Sequence, residues 1–299
     1  MSGAGPVVLA GATGDLGGRI ATALGRRGVA VRALVRPGTP AATRARLEAA
    51  GAVVRAVDHD DAAALRDACA GAGCVVSALN GLEPVILGTQ GRLLDAAVAA
   101  GVARFVPSDY ALDFTRTRPG DNRNLDLRRR FMARVDAAPI RATSVLNGAF
   151  TDLLAGPAPI ILHARRRVLY WGSADQAFDF TARDDVAAYV ADVALDEAAP
   201  RFLRIAGTTA SPRQLADIMT ALSGQRFGLW RAGSIGLLGL LIRATRTLAP
   251  GRDAVFPAWQ GMQYLRDMAG GRGRLEPLDN DRYGRRAWTS VGDFLGQGR

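Results

Sequence analysis

Glycines recur at every third position near the start of the chain, at Gly11, Gly14 and Gly17, within the stretch GATGDLG. The stretch follows an apolar run and precedes a segment with helical periodicity. Glycines let the backbone approach a bound group closely, and the N–H groups at the start of a helix attract negative charge. This arrangement is typical of a turn that holds the diphosphate of a dinucleotide. The turn residues that we expect to contact such a ligand are Gly11, Thr13, Gly14, Asp15, Leu16 and Gly17.

A second candidate binding residue is Arg36, which ends the second apolar run, AVRALVR. At this place a carboxylate binds the ribose 2′-hydroxyl of NAD, whereas a guanidinium can bind a 2′-phosphate. Arg36 therefore favours NADP over NAD; the alternative is that it is one solvated arginine among many. Asp58 and His59 end the third run, where an adenine would lie. Leu79 and Asn80 follow the fourth run, over the centre of the cofactor.

Candidates for acid–base chemistry end the fifth apolar run, in the sequence RFVPSDY. Ligands of an open parallel sheet bind beyond the carboxyl ends of its strands. Asp109 and Tyr110 are therefore candidate proton donors. Pro107 and Ser108 are candidate cofactor contacts, with Ser108 at the nicotinamide ribose. For the polar residues, capping of the following turn is an equally good interpretation.

These residues need a framework that brings the ends of separate segments together. Short β-rich runs alternate with longer segments of helical periodicity that end in glycine. Strands that are apolar on both faces and separated by helices predict a doubly wound α/β fold, with a parallel sheet covered on both sides. The predicted strands are residues 6–11, 30–36, 52–58, 74–79 and 104–109, followed by a helix at 124–138 and a sixth strand at 140–150.

From about residue 111 the pattern loosens. We expect residues 1–150 to form the NADP-binding Rossmann domain, with a return segment at about 178–206 that packs back on it, and residues 151–299 to form a smaller substrate lobe. A capped helix is predicted at 211–224. After about residue 230, no clear periodicity remains. Aromatic and apolar stretches that suit an apolar ligand, although such residues more often form a core, are 168–172, 227–230, 232–242 and 256–264.

Composition narrows the class of protein. The 299 residues are 48% hydrophobic and 22% charged, which is typical of a globular chain with a sizeable core. The formal net charge is +10, but all 38 basic residues are arginine and no nucleic-acid-binding motif accompanies them. We therefore expect anionic small ligands rather than nucleic acid. The apolar run at 232–242 is too short to span a bilayer and no secretion signal begins the chain, so we expect a cytoplasmic protein without a membrane partner.

The cysteines and histidines do not predict a metal site. Cys69 and Cys74 match neither a thioredoxin-type pair nor a metal knuckle. His59 and His163 lie far apart in the sequence, and no carboxylate–histidine motif surrounds either one. We predict no metal, a small-molecule substrate as partner, and a monomer or homodimer.

The ordered set of motifs resembles the NmrA-like and isoflavone-reductase-like branch of the atypical short-chain dehydrogenases/reductases. The resemblance implies a Rossmann fold, the cofactor NADP(H) and reduction of an unsaturated, often aromatic substrate. It also implies that Asn147, Gly148 and Phe150 line the nicotinamide. The motifs that carry it are GATGDLG, the arginine of LVR, VVSALNG, RFVPSDYALDF, ATSVLNGAF, FDFTARDDVAAYVADVAL and RIAGTTASPRQLADIMTALSGQRF.

One residue departs from the family pattern. The family's reductases use a lysine on the helix before the sixth strand; spacing places Arg128 there, and the whole chain contains no lysine. A guanidinium stays protonated, so Arg128 can donate hydrogen bonds and positive charge but does not exchange a proton. Arg128 shares a helix face with Leu125, Phe131 and Met132, which favours a site role at the cofactor or a developing oxyanion. The alternative is a solvated run from Arg128 to Arg130.

Two functions of different classes follow. The first is an NADPH-dependent reductase of an apolar, aromatic or enone-like small molecule, in which Arg128 stabilises negative charge and water, Asp109 or Tyr110 supplies the proton. The second is a non-catalytic NADP(H)-binding redox sensor, which the NmrA side of the family includes and which the missing lysine favours. A nucleotide-sugar epimerase is a third hypothesis, but the Tyr-x-x-x-Lys pair it needs is absent.

Overall fold

The computed structural model describes residues 5–156, 158 and 160–297; residues 1–4, 157, 159, 298 and 299, which belong to the two predicted domains, lie outside the described residues. The α-helices, labelled in chain order, are α1 (Asp15–Gly25), α2 (Ala41–Ala49), α3 (Ala62–Cys69), α4 (Gln90–Ala99), α5 (Arg123–Ala137), α6 (Arg183–Val193), α7 (Pro212–Ser223), α8 (Ile235–Leu248), α9 (Ala258–Ala269) and α10 (Val291–Gln297). A π-helical turn, Pro84–Thr89, leads into α4, and 3-10 turns lie at Thr151–Leu154 and His163–Arg165.

The β-strands are short, as the sequence runs predict. They are β1 (Val7–Ala10), β2 (Val31–Val35), β3 (Ala52–Ala56), β4 (Cys74–Ser77), β5 (Arg104–Val106), β6 (Arg141–Ala142), β7 (Ser144–Leu146), β8 (Ala149–Phe150), β9 (Ile161–Leu162), β10 (Arg167–Trp171), β11 (Phe178–Thr181), β12 (Phe202–Arg204), β13 (Thr208–Ala210) and β14 (Gly228–Gly233).

The first six strands form one sheet in the order β3-β2-β1-β4-β5-β6. Every neighbouring pair in it is parallel. All residues of β1 and β4 are buried, because helices cover both faces of the sheet. The core beside the sheet includes the fully buried rings of Phe105 and Phe131. The predicted doubly wound α/β class is therefore confirmed, and so are the five helices expected up to residue 138.

The predicted sixth strand at 140–150 was wrong as a single element. It is divided into β6, which pairs with β5, β7, which pairs with β12, and β8, which pairs with β11. Gly148 has a φ of +67°, outside the strand region, so the chain turns there. A Cβ at Gly148 would overlap the carbonyl oxygen of Asp179, so only glycine fits.

The region after residue 230 contains helices where the sequence shows no clear periodicity. In α8, apolar residues lie on both faces: Leu238 and Ile242 are buried, whereas Leu237 and Leu240 are exposed. A helix that is apolar on two faces has no single hydrophobic stripe for a periodicity argument to detect. By contrast, the predicted capped helix at 211–224 is confirmed as α7, whose N-terminus carries a capping box formed by Ser211 and Gln214.

Contacts divide the chain into two compact units that alternate along the sequence. The first unit comprises residues up to Tyr110, Leu127–Val145 and Val186–Leu203; the second comprises Ala111–Asp126, Leu146–Asp185 and residues from Arg204 onward. The predicted domain boundary at residue 150 stays a prediction.

Within the first unit, arginines hold the segment Val186–Leu203. Arg27 Nε donates to Asp192 Oδ1 at 2.7 Å. The Arg104 guanidinium donates to the carbonyl oxygens of Val193, Ala194 and Asp196 at 2.6–3.1 Å. Because Arg104 belongs to β5, these bonds tie the end of α6 directly to the sheet.

Candidate cofactor-binding site

The glycine turn joins β1 to α1 at the carboxyl edge of the sheet. Gly11 has a φ of +82°, which glycine adopts at little cost. A Cβ at Gly11 would lie 2.6 Å from the carbonyl carbon and oxygen of Ala78. A Cβ at Gly17 would overlap the carbonyl oxygen of Gly11. The turn therefore depends on backbone packing directly against backbone, and it brings all six predicted turn residues together.

The exposed part of this turn is suited to an anion. Gly14 is the N-cap of α1 and has no side chain to accept hydrogen bonds from the first helical turn. Thr13, Gly14 and Asp15 are exposed. Arg46 Nη2 from α2 donates to the carbonyl oxygen of Thr13 at 3.3 Å, which brings a guanidinium to the turn. A helix N-terminus with an adjacent cation is a favourable place for a diphosphate.

Beyond the carboxyl ends of β2 and β3 lies a cavity of about 700 Å³, which we call the arginine cavity. It brings together three residues that the sequence analysis assigned to the adenosine end of the cofactor: Arg36, Asp58 and His59. The Arg36 guanidinium is exposed and makes no hydrogen bond or ion pair with any described residue. The lining residues are Arg36, Pro37, Asp58, His59, Asp60, Pro84, Val85, Gly88, Thr89 and Arg92.

Arg92 is a cavity residue that the sequence analysis missed. Its Nε donates to the carbonyl oxygen of His59 at 2.7 Å, and its guanidinium pairs with Asp60. One indication of this role was present in the sequence, because Arg92 lies near the start of a predicted helix. Helix N-termini that follow parallel strands lie at the ligand-binding edge of the sheet. The pKa of His59 is lowered below its usual 6.5, mainly because the side chain is partly buried and secondly because of the positive charge of Arg36. His59 Nε2 is buried and has no hydrogen-bond partner within the described part of the chain.

The loops after β4 and β5 are tied together by Ser108. Its Oγ donates to the carbonyl oxygen of Leu79 at 2.7 Å, and its backbone N–H donates to Gln90 Oε1 at 2.9 Å. Asn80 is exposed, whereas Pro107 is buried. Leu79 and Ser108 thus come together as expected; Gln90, which positions Ser108 from α4, carries no signal that sequence spacing would have detected.

Asp109 is fully buried within a polar chain of side chains in the first unit. Ser144 Oγ donates to Asp109 Oδ2 at 2.6 Å, and Arg201 Nη1 donates to Ser144 Oγ at 2.7 Å. Arg201 Nε also donates to Asp136 Oδ1 at 2.7 Å. Asp109 Oδ1 has no partner among the residues that the structure describes. Ser144 therefore holds the Asp109 carboxyl and leaves one of its oxygens for another group.

Burial controls the protonation of both predicted proton donors. It raises the pKa of the Asp109 carboxyl, against the bond from Ser144 and the charges of Arg128 and Arg201. It also raises the pKa of Tyr110, and the Asp109 charge adds to that rise. The Tyr110 hydroxyl is buried and has no partner in the described residues. Both groups therefore hold their protons more strongly than in water.

Arg128 is buried, with only 8% of its surface exposed. The interpretation of residues 128–130 as a wholly solvated run is therefore wrong for its first member, whereas Arg130 is exposed and pairs with Glu83 at 2.9 Å. The charge of Arg128 lowers the pKa of Asp109, which shows that the two groups are near each other. Burial of a guanidinium is costly unless it interacts with other polar groups, so Arg128 belongs to the interior of the first unit and not to its surface.

The three residues expected to line the nicotinamide belong to the second unit. The N–H groups of Asn147 and Gly148 both donate to the carbonyl oxygen of Ala111 at 3.1 Å. The Asn147 side chain is fully buried, and its Oδ1 and Nδ2 have no partner among the described residues. The Arg183 guanidinium lies 5.3 Å from the ring centroid of Phe150. A buried amide without partners suits a polar ligand, but the lining role stays a prediction.

The described part of the chain contains no group of three or more His, Cys, Asp or Glu side chains placed to hold a metal ion. Within residues 5–156, 158 and 160–297, every helix is too short or too polar to cross a membrane.

The strand order and the glycine turn at the start of α1 define a Rossmann-type fold, which is the class of dinucleotide-binding folds. A model of the NmrA-like family matches residues 4–229 of the sequence. The chain therefore belongs to the NmrA-like family, as its motifs indicate. Comparison with curated proteins finds none that matches.

Solved structures share this fold over nearly the whole chain. AtPrR2 with NADP+ and (+)-pinoresinol is 20% identical, with 99% of each chain covered and a TM-score of 0.80. Leucoanthocyanidin reductase from Vitis vinifera with NADPH is 20% identical, with 98% and 99% covered and a TM-score of 0.79. An NADPH-dependent quinone oxidoreductase from Escherichia coli is 21% identical, with 97% and 98% covered and a TM-score of 0.70. At these identities the similarity shows the fold.

The close approach of Gly17 to Gly11 predicts opposite effects for the same substitution at adjacent positions. Gly17→Ala forces a Cβ against the Gly11 carbonyl oxygen and is expected to lower the free energy of unfolding by about 2 kcal/mol. Gly18→Ala is the matched control, because its Cβ would have no neighbour nearer than 3.6 Å. It is expected to raise stability by about 0.5–1 kcal/mol through helix propensity. Urea unfolding of both variants measures the difference; equal effects would contradict the packing argument.

The raised pKa of Asp109 predicts a pH-dependent difference in stability between the parent protein and Asp109→Asn. The folded state favours the neutral carboxyl, so the parent's advantage is largest below the ordinary pKa of 3.8 and is lost as pH rises through the raised value. The asparagine carries no charge to bury. Urea unfolding from pH 4 to 8 should therefore show the difference moving in favour of the variant.

Ser144→Ala provides the control for this pH effect. It removes the donor that lowers the pKa of Asp109, so the folded-state pKa should rise further and the fall in stability should extend to higher pH than in the parent. A difference between Asp109→Asn and the parent that does not vary with pH would show that Asp109 is charged throughout the range.

Proposed function

We propose that the chain binds NADP(H) and is an NADP-dependent reductase of an apolar, aromatic or enone-like small molecule. The observation that carries this proposal is the occurrence, in one compact unit, of an uncapped glycine turn and a cavity with the unpaired guanidinium of Arg36. The similar structures include AtPrR2 with NADP+, a leucoanthocyanidin reductase with NADPH and an NADPH-dependent quinone oxidoreductase, which supports the same class of cofactor.

The chain's own residues fit the parts of such a cofactor. The backbone of Gly11, Gly14 and Gly17 would hold the diphosphate, because a side chain there would occupy its space or distort the turn. Arg36 would bind the 2′-phosphate, with Arg92 adding positive charge to the cavity. His59 would remain neutral near pH 7 and offer its unpartnered Nε2 to the adenosine.

The groups around Arg128 suit the reduction of a polarised double bond. When bound, the nicotinamide supplies the hydride. Arg128 stays protonated and would stabilise negative charge that develops on the substrate, since a fixed cation in a buried site is more effective than one in water. Asp109, which is held by Ser144 and whose pKa is raised by burial, would be the source of the proton; Tyr110 and water are the other candidates.

The same observations support a second function, a non-catalytic NADP(H)-binding redox sensor. The chain has no lysine, and a guanidinium at position 128 does not exchange a proton. Tyr110 and Asp109 are both buried, which restricts proton delivery. A sensor would bind oxidised and reduced cofactor without turnover and would bind a protein partner in only one redox state.

Oxidation of NADPH over a panel of enones, quinones and aromatic ethers separates the two functions. The reductase is expected to turn over at least one class, and Arg128→Gln should lower kcat about a hundredfold while leaving NADPH affinity within a few fold. Arg128→Lys should retain more activity and gain a pH dependence near the lysine pKa. Saturable NADPH binding with no turnover anywhere in the panel would instead favour the sensor.

Cofactor choice is expected to depend on Arg36. Arg36→Gln should weaken NADPH binding about tenfold or more and leave NADH binding unchanged, because only NADPH carries the 2′-phosphate. The matched control is Arg26→Gln, which removes the same charge from an exposed position on the same unit. Fluorescence titration with both cofactors measures the ratio. An unchanged preference in Arg36→Gln would remove the basis for choosing NADP over NAD.

A further inference from the structure

Helix α8 presents leucines to solvent along one whole face. We call this face the leucine stripe; its members are Leu237, Leu240, Leu241, Ala244 and Leu248, and the exposed fractions of the four leucines are 43%, 58%, 40% and 84%. Their spacing of three, four and seven residues puts them on one side of the helix. The opposite side, with Leu238 and Ile242, is buried within the second unit.

This exposure is more than the scattered apolar residues of an ordinary surface. Single exposed leucines need no explanation, but a continuous apolar patch marks a surface that binds something. Aromatic side chains extend the apolar character into the segments that flank the helix, since Trp230 is 42% exposed and Phe256 is 60% exposed. The patch lies along the face of a single helix, and none of its residues lines the arginine cavity.

Unpaired positive charge accompanies the leucine stripe. Residues 226–266 contain six arginines and one carboxylate, Asp253. Arg231, Arg243 and Arg252 are exposed, and none of them has an ion pair or a side-chain hydrogen bond within the described residues. By contrast, the exposed arginines on α5, Arg130 and Arg134, pair with carboxylates. Arg243 follows Leu240 by three residues, so it borders the stripe on the helix surface.

We propose that the leucine stripe and its arginines dock the protein on a lipid surface that carries anionic headgroups. A helix with leucines on one side and Arg243 at the border of that side can lie in the interface, with its apolar face among the acyl chains and the guanidinium at the headgroups. The 14 residues of α8 extend about 21 Å, so the helix would lie along the surface and not cross it.

Charge disfavours a second copy of the chain as the occupant. A two-fold interface brings the same patch of both copies together, so arginines without carboxylate partners would face each other. An anionic lipid surface instead supplies the missing negative charge at the border and apolar volume under the stripe. The expectation of no membrane partner was based on the absence of a membrane-spanning segment, which does not bear on a helix that lies along a membrane surface. The docking proposal does not depend on the proposed reductase activity.

Flotation of the full chain with vesicles tests the proposal. Vesicles of phosphatidylcholine with about 30 mol % phosphatidylglycerol should bind the protein, vesicles of phosphatidylcholine alone should bind it much less, and binding should fall as salt increases. The measurement needs neither cofactor nor substrate, so a failure of the proposed reductase function would leave it unaffected. No binding to the anionic vesicles would overturn the docking proposal.

Matched variants separate the leucine stripe from general hydrophobicity. Leu240→Asn with Leu241→Asn should lower the partition coefficient at least about tenfold. The control pair is Leu195→Asn with Leu278→Asn, which are 40% and 42% exposed outside α8 and should leave binding unchanged. Far-UV circular dichroism and thermal melting check that both pairs fold. Equal losses in the two pairs would contradict a specific surface.

Charge variants test the arginine border. Arg243→Gln with Arg252→Gln should weaken binding about fivefold per arginine and reduce its salt dependence, whereas Arg26→Gln with Arg55→Gln, at exposed positions of the first unit, should not. Two other results would overturn the proposal. The first is that light scattering shows a dimer for the parent protein and a monomer for the stripe variant. The second is that the stripe variant keeps its vesicle binding but has a raised KM for apolar substrates.

Discussion

The contact on which the rest of the structure depends is the backbone packing between Gly17 and Gly11. Because neither residue has a Cβ, α1 begins directly against the turn that ends β1, and its first N–H groups lie at the carboxyl edge of the sheet. Gly11 also packs directly against the backbone of Ala78, where a Cβ would not fit, so the loop after β4 is held against the same turn. The glycine turn, the arginine cavity and the loops tied by Ser108 all lie in the unit that this packing organises.

The second constraint is electrostatic and lies around Asp109. A buried carboxyl is costly to ionise, and the bond from Ser144 with the charges of Arg128 and Arg201 only opposes that cost. Arg128 contributes a fixed charge, whereas the lysine that the family's reductases use can give up a proton. In the proposed reductase, proton transfer would therefore fall to a group other than Arg128. Whether Asp109 fulfils that role separates a reductase from a sensor.

The parts of the molecule that sequence predicted well depend on local patterns. Strands β1 to β5, the helices between them and the ligand-binding edge follow from periodicity and glycine positions, and Arg36, Asp58 and His59 come together because each ends a parallel strand. Arg92 was missed because its role comes from the position of α4 in three dimensions. The sixth strand was misjudged because its partners, β12 and β11, are distant in sequence. The exposed leucines of α8 also required the fold, since only packing reveals which face is covered.

The chain has no lysine, so arginine supplies every permanently charged basic side chain, and the roles of the arginines differ only through their surroundings. Arg104 and Arg27 donate to backbone or carboxylate oxygens within the first unit and stabilise the fold. Arg128 is buried beside Asp109, where a permanent charge alters the protonation of its neighbour. Arg36 and Arg243 are exposed and unpaired, one in a concave cavity and the other beside an apolar helix face. An unpaired guanidinium gains most from an anion that its surroundings can also hold. The cavity would therefore favour a phosphate, and the helix face would favour the lipid headgroup that we propose.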